Sequence, residues 1–81
     1  MIEKELMEET NKWLEKIKEK RKRIVLKDES KTDLLKNIDA YISDTSHFLE
    51  KKDYIRAFEA VIWAWSWVEI LGELGIIEAK K

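Results

Sequence analysis

One fifteen-residue stretch limits the fold more than any other: VIWAWSWVEILGELG, residues 61–75, sets three of the chain's four tryptophans at positions 63, 65 and 67. Alternation of this kind suits a strand with one aromatic face, but the longer pattern does not. Tyr54, Phe58, Val61, Trp65, Val68 and Gly72 recur at steps of four and three, and Trp63, Trp67, Ile70, Leu74 and Ile77 do the same. Both stripes carry the period of an α-helix. A strand would also need a ladder partner, and the only other β-like run is IVL at residues 24–26. At about 100° per residue, Trp63 and Trp67 lie about 40° apart while Trp65 points to the opposite side. A single helix is therefore apolar on two faces. The Trp65 stripe runs its full length and is expected to face the rest of the chain. The Trp63 stripe occupies only the second half, and two other helices cannot easily cover both. Trp63, Trp67, Ile70 and Leu74 are thus the expected surface of self-association, with a dimer as its simplest form.

Two more amphipathic segments precede this one. In the first, Ile2, Leu6, Thr10, Trp13, Ile17 and Ile24 follow helical spacing, widened by Met7 and Leu14, which predicts a helix over about residues 2–25. The second opens at SKTD, where Ser30 and Asp33 have the spacing of a capping box. Leu34, Ile38, Tyr41, Thr45 and Phe48 then repeat, flanked by Leu35, Ile42 and Leu49, predicting a helix over 31–51. Asp53 is a natural N-cap for the third helix, over 54–74. Gly75 suits the left-handed position that ends a helix, with Ile76 folding back toward Leu71 and Ile77 beyond the helix. The short break at EKKDY makes helices two and three antiparallel neighbours. The expected fold is all-α: an antiparallel up-down-up three-helix bundle, one domain over residues 1–81, homodimeric through helix three.

Composition narrows the function. In 81 residues a single core yields only a few kcal/mol of net stability, so help from a second subunit is reasonable. Without cysteine there is neither a disulfide framework nor a thiolate metal site, which fits a reducing cytoplasm. The opening run MIEKELMEETNKW is charged from its third residue and offers no apolar stretch for a signal peptide. The longest uncharged run, residues 60–68, is far short of the roughly 20 apolar residues that span a bilayer. Charged residues make up 41% of the chain, rich in Lys and Glu and lacking Gln, a bias shared with hyperthermophile proteins.

Residues 41–76, YISDTSHFLEKKDYIRAFEAVIWAWSWVEILGELGI, resemble the archaeal domain-of-unknown-function family 357. That family pattern has a Tyr-x-x-Asp-Ala-x-x-Phe segment, a Gly-Asp turn, an alanine-spaced helix and a Tyr-Ala-x-Gly-x-Leu-Asp motif ending in Leu-Gly. Tyr41, Asp44 and Phe48 match its first element, Asp53 and Ala57 the turn and helix start, and Leu74 with Gly75 its end. Lys52 stands at the turn glycine, Trp63 at the tyrosine, Ser66 at the second glycine, and Val68 with Glu69 at the Leu-Asp pair. The resemblance implies a small helical bundle, archaeal and cytoplasmic, and brings no activity with it. The FLEKKDYIRAFEA hairpin also resembles a tetratricopeptide turn, but no second copy follows at that repeat's period of about 34 residues.

The chemistry-bearing residues are few. Asp44 and His47, one helical turn apart, offer two metal ligands where a site needs three or four. Ser43 and Ser46 beside them sit mid-helix, away from the strained turn and oxyanion donors that a nucleophile requires. No catalytic residue, metal ligand set or cofactor site is therefore expected. Asp44 and Glu69 are read as buried polar groups, Glu69 at the edge of the Trp65 stripe with a Lys or Tyr partner on a neighbouring helix. The run KIKEKRKR, residues 16–23, carries six basic residues and one acid. Lys16, Lys18, Lys20, Arg21, Lys22, Arg23 and Lys27 form a candidate phosphate-gripping patch, although basic residues also favour a helix C-terminus on their own account. The leading expectation is a non-enzymatic, self-associating protein-interaction module. The alternative is a nucleic-acid-binding accessory protein that uses the basic end of helix one. No membrane contact is expected, because the Trp-bearing helix is acidic where an interfacial helix is basic.

Overall fold

The computed structural model describes residues 2–80. Its elements run α1 (Ile2–Lys22), β1 (Ile24–Leu26), a 3-10 turn (Glu29–Lys31), α2 (Thr32–Glu50), α3 (Tyr54–Glu73) and β2 (Ile77–Ala79). The three expected helices are present, but the chain is not purely helical. β1 and β2 pair antiparallel, with Ile24 opposite Ala79, Val25 opposite Glu78 and Leu26 opposite Ile77. The ladder is extended by Lys27 N–H donating to the Ile76 carbonyl and Lys80 N–H to that of Arg23. The predicted first helix therefore runs three residues too far. The β-branched pair Ile24-Val25 leaves the helix because the partner that seemed missing lies just past α3.

β1 follows α1 and β2 follows α3, so the C-terminal ends of these two helices lie together and the helices run the same way. α2 runs against both, which gives the up-down-up order. Basic Lys20, Arg21 and Lys22 close α1, the favourable sign for its dipole. The entry to α2 differs from the predicted capping box. Asp28 caps the 3-10 turn that precedes α2, accepting from the Ser30 backbone N–H at 3.0 Å and from its hydroxyl at 2.6 Å, and Lys31 at the N-cap of α2 itself makes no side-chain cap bond. A 3-10 turn intervenes, so Ser30 sits inside that turn and α2 begins after it. Asp53 caps α3 as expected, accepting from the Arg56 N–H at 3.2 Å. At the far end Ile76 N–H reaches the Leu71 carbonyl and Gly75 N–H that of Gly72, with Gly75 at φ +74°: a Schellman motif.

The core consists of Leu14, Ile17, Ile24, Ile38, Val61, Ala64, Val68, Leu71 and Ile77. Thr10 and Thr45 are fully buried with it, each hydroxyl donating to the carbonyl four residues back, Leu6 and Tyr41. That arrangement settles the polar atom inside its own helix. The α3 residues that face inward are Ala57, Ala60, Val61, Ala64, Val68 and Leu71, mostly small ones. Their centre, over the alanines, lies between the two tryptophan stripes, so the expectation that the Trp65 stripe fills the centre is corrected: of that stripe only Val61 and Val68 are buried. Small side chains let α3 approach both other helices closely, and the indoles are left to wall its two flanks.

Candidate functional site

α3 shows solvent a face that other helices would normally cover. Ile55 (68% exposed), Ile62 (43%), Trp63 (55%), Ile70 (48%) and Leu74 (67%) all stand outside the core. Three of the four expected surface residues belong to this set. Trp67 does not, because it packs half-buried against the core beside α2. Trp63 is steadied on that same flank by stacking on Tyr41, centroids 6.4 Å apart and planes 19° from parallel. Ile55 and Ile62 were missed in the sequence. They sit at a seven-residue interval on the outward side, and a search for stripes through the tryptophans passes them by.

On the opposite flank Trp65 meets Trp13 of α1 edge to face, centroids 5.8 Å apart. Beside this pair runs an open groove of about 480 Å³ lined by Trp13, Ile62, Trp65, Ser66, Glu69 and Ile70. Lys16 Nζ lies 4.8 Å from the Trp13 ring centre and Lys20 Nζ 5.7 Å from that of Trp65, so cations cover the aromatic rim.

The basic residues of α1 do not form one free patch. Arg21 holds Asp39 of α2 through two hydrogen bonds, at 2.6 and 3.1 Å. Lys18 pairs with Glu15, Lys22 with Glu19, and Lys27 with Glu78 across the strands. Lys16 and Lys20 are engaged by indoles, which leaves Arg23 exposed as the least committed of the seven. Neighbouring carboxylates thus answer much of the positive charge that a polyanion would seek.

Neither expected buried polar group is buried. Asp44 is exposed, roughly 100° around α2 from the Ile38 and Thr45 line, and Glu69 is exposed on the outer wall of the groove. The burying face of α3 lies over its alanines rather than over Trp65, and this turns Glu69 outward. His47 is also exposed, its ring 5.7 Å from that of Phe48. Among the described residues no three His, Cys, Asp or Glu side chains gather as a metal site would require. Hydrogen bonds from Lys12 and Trp13 hold the Glu9 carboxyl below the ordinary glutamate range.

A model of the DUF357 family, proteins of unknown function, matches residues 6–77. The chain belongs to that family. The match extends well beyond residues 41–76 and takes in most of α1 and the start of β2. The crystal structure of protein AF1782 from Archaeoglobus fulgidus, also of DUF357, is 50% identical, covers 99% of this chain and 100% of its own, and superposes with a TM-score of 0.88. A comparison with curated proteins found no match. Lys52, which stands at the turn glycine of the resemblance described above, sits at φ +61°, the left-handed region that glycine occupies without strain.

Proposed function

We propose that this DUF357 protein is a non-enzymatic interaction module that associates with itself through the outward face of α3. The observation that carries this reading is the exposure of Ile55, Ile62, Trp63, Ile70 and Leu74 on one helix of a small chain. Singly exposed apolar residues are ordinary, but five large ones on one face mark an interaction surface. The absence of cysteine supports a reducing cytoplasm as its compartment, and no helix among the described residues is long and apolar enough to cross a membrane. Nucleic-acid binding through α1 is less favoured, given the ion pairs that occupy Lys18, Arg21, Lys22 and Lys27. Light scattering of the purified protein tests the reading. A mass above that of one chain is expected, falling to the monomer's when Trp63 and Ile70 are both changed to Glu with helicity retained. A strict monomer at high concentration overturns it.

A further inference from the structure

We draw no further inference here: the strongest candidate, the open groove between α1 and α3 beside Trp13 and Trp65, carries nothing, because Glu69 on its wall and the lysines over its indoles oppose each other in sign and nothing in the structure shows what covers it.

Discussion

The indole Nε1 of Trp65 donates to the main-chain carbonyl of Trp13 at 3.2 Å, tying α3 to α1 by a bond that spans 52 positions of sequence. The same pair of residues packs edge to face, so one contact supplies both a polar and an apolar link. Trp65→Phe should keep most of the packing and lose the hydrogen bond, at a cost of about 1 kcal/mol. Trp65→Ala should cost about 3 kcal/mol, at the lower end for a tryptophan because the ring is only half-buried. Urea denaturation of both variants measures the difference; an unchanged stability in Trp65→Phe would mean that the hydrogen bond contributes nothing.

Ala64 is fully buried at the centre of the inward face of α3. Ala64→Leu should destabilise the chain by about 3 kcal/mol, because three added carbons have no space between closely packed helices. Trp63→Ala, although it removes a far larger group, should cost less by the same denaturation measurement. The reverse order would restore the view that the tryptophans fill the core.

That ordering shows how far the sequence could be read. Three helices, their direction, the Asp53 cap and the Gly75 end were legible, because each rests on local spacing or a single residue's backbone preference. The inward face of α3 was not. A helix with bulky apolar stripes on both flanks gives little contrast between faces, and the indoles outweigh the closeness of approach that favours Ala57, Ala60 and Ala64. The strand pair was illegible for another reason: its two halves, Ile24–Leu26 and Ile77–Ala79, are separated by two whole helices, so neither shows a partner locally. Surface exposure of Trp63, Ile70 and Leu74 was readable, whereas the burial assigned to Glu69 followed from the wrong choice of face on α3, and Asp44 lies off the α2 face that the spacing does identify.

Lys52 holds φ +61° in the turn between α2 and α3. A side chain there crowds its own backbone, so Lys52→Gly should raise stability by about 1 kcal/mol despite the greater freedom glycine gives the unfolded chain. Thermal unfolding would register this as a higher midpoint. Gly75→Ala, at φ +74°, should shift it the other way.

Asp28 accepts from the Ser30 hydroxyl and backbone N–H, and these two bonds hold its carboxyl below the ordinary aspartate range. Depression of the folded-state value means that the cap's stabilisation is complete above the unfolded aspartate's pKa. It is lost as pH falls through the lower, folded value. Carbon-detected NMR titration should find Asp28 protonating at lower pH than an unstructured aspartate, and Ser30→Ala should bring it back toward the ordinary range.

The ladder between β1 and β2 also decides the order in which the molecule comes apart. The Lys27–Glu78 contact bridges 51 positions, whereas the α2–α3 hairpin is joined by three residues. The α1–α3 contact spans as much sequence but is held by the core, whereas a two-stranded ladder of three residues a side is marginal on its own. The two strands are accordingly expected to be the first piece to detach in native fluctuations. Deuterium should reach the amides of Lys27 and Lys80 long before that of Val61, while the helices remain intact. Each such opening briefly bares Ile24 and Ile77, giving a folded molecule a transient adhesive end quite separate from its permanently exposed helix face.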